Sequence, residues 1–188
     1  MVSMEAPTAP EWQVDVWLNT PAPLELSQFR GRVVLLHAFQ MLCPGYVSHA
    51  VPQAERVHRE YAELGVSVVG LHTVFEHHAA MTPVALEAFL HEYRVTHPVG
   101  ADVAVAGTPV PETMNRCGMR GTPTLVLIDR AGKLRLHEFE RMDDLRLGMM
   151  LGRLLAEGLQ AGGATQEAGS RLVISRSDGT GVSSWPAG

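Results

Sequence analysis

The feature that most constrains the fold of this chain is an apolar strand followed closely by an amphipathic helix. Val33–Phe39 is short and nearly all apolar, which is typical of a strand covered on both faces of a sheet. Apolar residues then recur at three- and four-residue spacing up to Leu64, with charged residues between them and Gly65 as a stop signal. A strand leading into a helix that packs on it indicates an α/β fold. The apolar positions of this helix are Val47, Ala50, Val51, Ala54, Val57, Tyr61 and Leu64.

One residue interrupts this helical pattern. Pro52 lies inside it, and proline removes a backbone hydrogen bond and crowds the preceding turn. The sequence therefore predicts a kink after the first turns of the helix.

Cys43 occupies the junction between the strand and the helix, directly before Pro44 at the expected first helical position. The sulfur would face the unpaired N–H groups and the positive end of the helix dipole, which favour a thiolate over a thiol. Because the thiolate is the nucleophilic form of cysteine, Cys43 is the predicted nucleophile. The alternative is that Cys43 is a small buried hydrophobic residue.

A second motif lies eighty residues later. Gly121, Thr122, Pro123 and Thr124 lead into an apolar strand at residues 125–128, and residues 129–133 form a turn signal. With Cys-Pro after a strand, this motif resembles the thioredoxin-like redoxin superfamily. The most similar branches are the TlpA-like thiol-disulfide oxidoreductases and the alkyl hydroperoxide reductase/thiol-specific antioxidant group. The resemblance extends from about Trp12 to Leu155.

The resemblance implies a three-layer α/β sandwich in which a central mixed sheet carries helices on both faces. It also implies a cis peptide bond before Pro123 and a loop at Thr122 and Pro123 that faces the nucleophilic sulfur and binds substrate. Pro44 and Tyr46, which follow Cys43 in the sequence, complete the predicted substrate-binding set. Tyr46 would hydrogen-bond or shield the thiolate, or only fill space.

This chain departs from both branches at specific positions. Dithiol members have a second cysteine three residues after the first, which releases the mixed disulfide, and here that position is Tyr46. They also have tryptophan before the nucleophile, where this chain has Leu42. Peroxidatic members have proline and threonine where this chain has Leu36 and Gln40.

Three functions are consistent with these residues. In the first, Cys43 attacks a protein disulfide or a peroxide, and a low-molecular-weight thiol or a thioredoxin-type reductant resolves the product. In the second, the scaffold binds an extended peptide or a partner without turnover. In the third, the chain is a one-cysteine peroxidase or peroxide sensor in which Gln40 donates the hydrogen bond that threonine usually gives. Glu76 is a candidate for assisting proton transfer.

The other cysteine and the histidines suggest no additional chemistry. Cys117 ends a short predicted helix before Gly118, and we expect it to pack rather than to pair with Cys43. The alternatives are a remote redox thiol and a contact with another chain. The nine histidines match no structural zinc spacing, so no metal and no cofactor are predicted. His37, within the apolar strand, is expected to be a buried histidine with its hydrogen bonds satisfied. The histidines considered for a metal are His72, His77, His78, His91 and His97.

Composition excludes several partners. The net charge is −5 and no cluster of Lys or Arg is present, so neither nucleic acid nor an anionic membrane is predicted. No secretory signal or stretch of transmembrane length is recognisable. Two cysteines without a signal fit the cytoplasm, and an exported form is the alternative if a leader has been removed. The sequence does not predict an oligomeric state.

The remaining pattern completes one domain. A second strand is predicted at residues 66–71, a helix begins after Thr82 at Pro83, and Leu134–Phe139 pairs after the turn. Asp143 or Asp144 opens a last helix. The predicted domain spans residues 12–158, between an N-terminal arm at residues 1–11 and a linker-like tail at residues 159–188, which is either a hairpin or disordered.

Overall fold

The computed structural model describes the backbone of residues 6–167 and the side chains of residues 6–157. Its strands are β1 (Val14–Leu18), β2 (Val33–Phe39), β3 (Val66–His72), β4 (Val99–Asp102), β5 (Thr124–Ile128) and β6 (Leu134–Phe139). They form one mixed sheet in the order β1-β4-β3-β2-β5-β6. β2 is parallel to β3, and β3 is parallel to β4, whereas the other neighbours are antiparallel.

Helices cover both faces of this sheet. They are α1 (Val51–Tyr61), α2 (Pro83–Glu92), α3 (Glu112–Arg116) and α4 (Asp144–Glu167). Every residue of β2 is buried, and its side chains alternate between the two faces. Val33 and Leu35 pack with α1 and α4, and Phe39 packs with α2, whereas Val34 and Leu36 pack with α3 on the opposite face. The predicted α/β fold with helices on both faces is therefore confirmed.

Several predicted boundaries are confirmed by hydrogen bonds. The Thr82 hydroxyl accepts a hydrogen bond from the Ala85 N–H at 3.3 Å, which caps α2 one residue before Pro83. The Asp143 carboxylate accepts hydrogen bonds from the first-turn N–H groups of Leu145 and Arg146, at 2.9 and 3.3 Å, so Asp143 caps α4. The second predicted strand is β3, which extends one residue further to His72.

Sequence reasoning missed the two strands at one edge of the sheet. β1 and β4 pair with each other in antiparallel register, and β4 is only four residues long. Gly100 in β4 makes this pairing possible, because a β-carbon there would lie 2.8 Å from Val14 Cγ1. A short strand that contains glycine has no alternating pattern by which to recognise it.

Pro52 lies inside a helical run that begins at residue 44, as the sequence predicted. It is the second residue of α1, and directly before α1 the run departs from a regular α-helix in a π-helical turn, Tyr46–Ala50. A π-helical turn of this kind is one of the features that bend a helix.

Both ends of the predicted domain extend further than expected. Pro7 and Ala9 form backbone hydrogen bonds with the β5–β6 turn at Leu134 and Gly132, which favours including this segment in the domain. At the other end, α4 continues through Gly158 to Glu167, so the linker-like stretch does not begin at residue 159. The predicted hairpin or disordered tail lies mostly outside the described residues.

Candidate functional site

Cys43 is the last residue of the short segment between the end of β2 and the helix that begins at residue 44. Its N–H donates to the Gln40 carbonyl at 3.1 Å, and its own carbonyl accepts from the N–H groups of Tyr46 and Val47. The half-buried sulfur donates to the Thr122 carbonyl oxygen at a Sγ–O distance of 3.5 Å. The fold therefore brings together two motifs that are 79 residues apart in the sequence.

Pro123 lies beside the first turn of this helix. The Thr122–Pro123 peptide bond is cis, and a β-carbon at Gly45 would lie 4.0 Å from Pro123 Cδ. Pro44 is exposed, as is Leu42, whose side chain is 58% accessible. A disulfide that approaches the sulfur would meet a surface formed by these residues and the Thr122 backbone.

Tyr46 does not belong to this surface, so its predicted role in substrate binding is wrong. It is completely buried and stacks on Phe39 at 4.1 Å between ring centroids, and on His37 at 5.7 Å. Its hydroxyl has no hydrogen-bond partner among the described residues. Burial, with a smaller effect from the Glu55 carboxylate, raises the pKa of Tyr46 well above 10. Tyr46 therefore occupies a core position, and of its expected roles only space filling fits.

The two predicted assisting residues lie close to each other. The Gln40 side chain is buried, and its Nε2 donates to Glu76 Oε1 at a long 3.5 Å. The side-chain oxygen of Gln40, Oε1, has no hydrogen-bond partner among the described residues. Glu76 is exposed. The side chain of Gln40 is thus directed to Glu76, whereas its contact with Cys43 is through the backbone.

A buried chain of polar groups lies behind Tyr46. His37 Nε2 is 2.7 Å from His97 Nε2, and His97 Nδ1 is 2.9 Å from Glu55 Oε2. His37 was expected to have its hydrogen bonds satisfied, but its Nδ1 has no partner among the described residues. Sequence reasoning missed His97 and Glu55 as members of this chain, because the contacts join residues 42 and 60 positions apart.

These surroundings shift the pKa values of His37 and Glu55. Burial lowers the pKa of His37 well below 6.5, the adjacent His97 lowers it further, and Glu55 opposes both. Burial tends to raise the pKa of Glu55, but hydrogen bonds from His97 and Thr96 outweigh it and lower this pKa to about 2. Glu55 is therefore a carboxylate at neutral pH.

Cys117 lies on the opposite face of the sheet from Cys43. It packs partly buried against the core cluster that contains Leu36 and Met114, as expected for a packing residue. Burial and the charge of Asp102, opposed by Arg116, raise the pKa of the Cys117 thiol to about 11.

The two cysteines should differ greatly in reactivity. At pH 8 only roughly one Cys117 thiol in a thousand is ionised, because its pKa is about 11. We expect iodoacetamide to alkylate Cys43 on the order of 100-fold faster, as read by peptide mass spectrometry. In urea the two rates should converge, which provides the control. Equal rates in the native protein would contradict this prediction.

The histidines considered for a metal do not form a site. His72 is buried at the end of β3, whereas His77 and His78 are exposed in the following loop. Within residues 6–157 no group of three His, Cys, Asp or Glu side chains is arranged to hold a metal ion. Burial lowers the pKa of His72 to about 4.

Buried neutral histidines predict a loss of stability in acid. In the unfolded chain a histidine becomes protonated as the pH falls through about 6.5. In the folded chain His72 stays neutral until about pH 4, because burial lowers its pKa to about 4. The free energy of unfolding should therefore be highest above pH 6.5 and fall towards pH 4, by roughly 3 kcal/mol from His72. Urea unfolding between pH 7.5 and 4.5 measures this slope. His72→Gln should flatten it, and His91→Gln, at an exposed site, should not.

None of the described helices is both long and apolar enough to cross a membrane.

The chain is similar to one protein-family model and to solved structures of related proteins. The family model for Redoxin matches residues 4–145. The crystal structure of the thioredoxin-like superfamily protein SPOA0173 is 51% identical, with a TM-score of 0.77, over 80% of this chain and 97% of that one. The structure of a thiol-disulfide isomerase from Corynebacterium glutamicum is 45% identical, with a TM-score of 0.76, over 80% and 96%.

A curated relative shows a more distant similarity. Protein SUPPRESSOR OF QUENCHING 1, chloroplastic, from Arabidopsis thaliana is 27% identical over 132 residues. The matched region is 69% of this chain but only 12% of the plant protein. The similarity therefore concerns one part of a much longer protein.

Proposed function

The chain belongs to the Redoxin family of the thioredoxin-like superfamily, and on this basis we propose that it is a thiol-dependent redox protein with one working cysteine. Cys43 attacks a disulfide, and an external thiol then resolves the mixed disulfide. The observation that carries the proposal is the position of the half-buried Cys43 at a helix start, with its sulfur 3.5 Å from the Thr122 carbonyl oxygen. A thiol-disulfide redox role is common to the family.

The substrates proposed are protein disulfides, with a low-molecular-weight thiol or a thioredoxin-type protein as reductant. Two observations support an external reductant. Position 46, where a resolving cysteine would stand, is a completely buried tyrosine, and Cys117 packs on the opposite face of the sheet. Of the residues described, neither position offers a second thiol to the mixed disulfide.

The exposed surface around the sulfur supports a disulfide more than a peroxide. Leu42 and Pro44 present apolar area next to Cys43, which suits the side chains around a disulfide. The peroxidase hypothesis requires Gln40 to donate to a peroxide, and its Nε2 is already directed to Glu76.

Turnover of a small disulfide tests the proposal. Purified protein is mixed with 2-hydroxyethyl disulfide and glutathione, and the oxidised glutathione formed is followed by NADPH consumption with glutathione reductase. We expect a rate proportional to protein concentration and a Cys43 mixed disulfide visible by mass spectrometry after an acid quench. Absence of both, together with peptide binding that survives Cys43→Ser, would instead favour a binding scaffold.

A further inference from the structure

A groove on the protein surface lies between one side of α1 and the segment that follows α2. Its volume is about 490 Å³, which is within the size range of small-molecule sites. Three of the residues that line it are arginines, Arg56, Arg59 and Arg94, and we call it the arginine groove. Its lining contains neither Cys43 nor the loop before β5, so the groove is separate from the candidate site already described.

The fold brings these arginines together from two elements. Arg59 lies one helical turn after Glu55, so both side chains are on the same side of α1. The Glu55 carboxylate accepts the Thr96 N–H at 3.1 Å and faces His97 Nδ1 at 2.9 Å. These contacts attach the segment that carries Arg94 to the same side of the helix. The basic cluster was therefore not recognisable from the sequence.

Two of the three arginines have no acidic partner. Arg56 lies 2.8 Å from the Asp144 carboxylate, in a pair that is exposed to solvent. Arg59 and Arg94 are exposed, and neither guanidinium forms an ion pair or a hydrogen bond with a described residue. Glu55 also lines the groove, but its side chain is only 13% accessible. Two unpaired guanidinium groups in one groove repel each other and attract an anion, although the net charge of the chain is −5.

Arg94 has an unusual backbone conformation for an arginine. Its φ is 53°, in the left-handed region, directly after the C-cap of α2. Its N–H donates to the His91 carbonyl at 3.1 Å, and the next N–H, of Val95, donates to the Leu90 carbonyl at 2.9 Å. This pair of hydrogen bonds is the Schellman motif, in which the left-handed residue is usually glycine.

The fold by itself gives no reason for an arginine at this position. Glycine adopts the left-handed conformation without the steric cost of a β-carbon. The Arg94 side chain offsets none of this cost, because it has no partner among the described residues. The segment is also held firmly, since Asn19 Nδ2 donates to the carbonyls of Val95 and His97 at 2.7 and 3.2 Å. A strained residue with an unpaired charge on a firmly held segment indicates a role for that charge outside the fold.

An aromatic ring lies next to the arginines in the same groove. Tyr93 packs on Phe89 with 4.4 Å between ring centroids, and it remains 47% accessible. A positioned aromatic ring can stack on a planar group of a ligand. Guanidinium groups bind phosphate through two parallel hydrogen bonds. Together these groups fit a ligand that has both a phosphate and a planar ring.

We propose that the arginine groove binds a small organic phosphate with a planar ring, which is the chemistry of a nucleotide. Arg59 and Arg94 bind the phosphate, and Tyr93 contacts the ring. This site goes beyond the proposed redox function and does not depend on it, because binding requires no turnover at Cys43.

Arg94→Gly tests the site with ADP as the probe, by isothermal titration calorimetry at low ionic strength. Loss of a charged hydrogen-bonding partner should weaken the binding of ADP about tenfold. The midpoint of urea unfolding should not fall, because glycine suits the left-handed conformation. Arg59→Gln should weaken binding similarly. Arg153→Gln is the control, because Arg153 is an exposed arginine of α4 paired with Glu157, and it should leave the affinity within about twofold.

Two fragments of the probe separate the phosphate from the ring. Pyrophosphate and adenosine should each bind more weakly than ADP, and only pyrophosphate should lose affinity in Arg94→Gly. In NMR spectra of native protein, ADP should shift the amide signals of Tyr93, Arg94 and Thr96.

Several results would overturn the site. These are no binding of ADP to native protein, equal affinity for native protein and Arg94→Gly, or shifts confined to the loop at Thr122 and Pro123. A lower unfolding midpoint in Arg94→Gly would show that the arginine supports the fold, which also contradicts the proposal. Pyrophosphate that binds as tightly as ADP would remove the role of Tyr93. Because none of these measurements involves a mixed disulfide, failure of the redox function is read separately.

Discussion

Replacing Cys43 with serine is expected to reduce glutathione-dependent reduction of 2-hydroxyethyl disulfide to the rate without protein. A serine hydroxyl is not ionised at neutral pH and forms no disulfide, so neither half of the exchange can take place. Removal of a nucleophile costs ~10³-fold or more in other enzymes. The coupled NADPH assay measures the loss.

Cys117→Ser is the matched control for this variant. Cys117 is the other cysteine of the chain and lies in the core cluster of the opposite sheet face. Its replacement should leave the rate within about twofold, with at most a modest loss of stability. Activity that survives in Cys43→Ser but is lost in Cys117→Ser would move the nucleophile to Cys117 and contradict the proposed site.

The second large effect is on stability and concerns Tyr46. Its ring is completely buried and stacked against Phe39 and His37, so Tyr46→Ala should lower the free energy of unfolding by about 3–5 kcal/mol. Tyr46→Phe keeps the ring and removes a hydroxyl without a described partner. It should therefore change stability by less than about 1 kcal/mol, or increase it. Urea unfolding at pH 7.5 measures both variants.

The comparison between these variants is decisive for the role of position 46. A Tyr46→Phe variant that loses as much stability as Tyr46→Ala would mean that the hydroxyl, not the ring, holds the structure together. For the same reason, Tyr46→Cys is not expected to create an efficient dithiol enzyme. It would remove most of a buried ring and leave a cavity in the core.

Much of the fold was predictable because local patterns specify it. β2 is a continuous apolar run, β6 follows a clear turn, and Thr82 with Pro83 marks the start of α2. In each case the signal lies within a few residues of the element that it specifies. The strands β1 and β4 have no such signal, because their pairing depends on a contact at Gly100 with a distant strand.

The candidate site, like the fold, has one part that was predictable from the sequence and another that was not. Cys43 before Pro44 and the loop at Thr122 and Pro123 were readable as motifs, and the structure places their atoms in contact. Gln40 and Glu76 are neighbours of one another, which their spacing in the chain did not predict.

The sequence by itself therefore determined the class of fold and the position of Cys43 at a helix start, and the family resemblance indicated the loop at Thr122 and Pro123 that faces it. Only the tertiary structure decided that Tyr46 points into the core and that Glu55, His97 and His37 form one hydrogen-bonded chain. Propensity and periodicity act over a single element. The direction and partners of a side chain at a junction depend on elements that are adjacent only after the chain has folded, such as α1, β2 and the segment before β4 here.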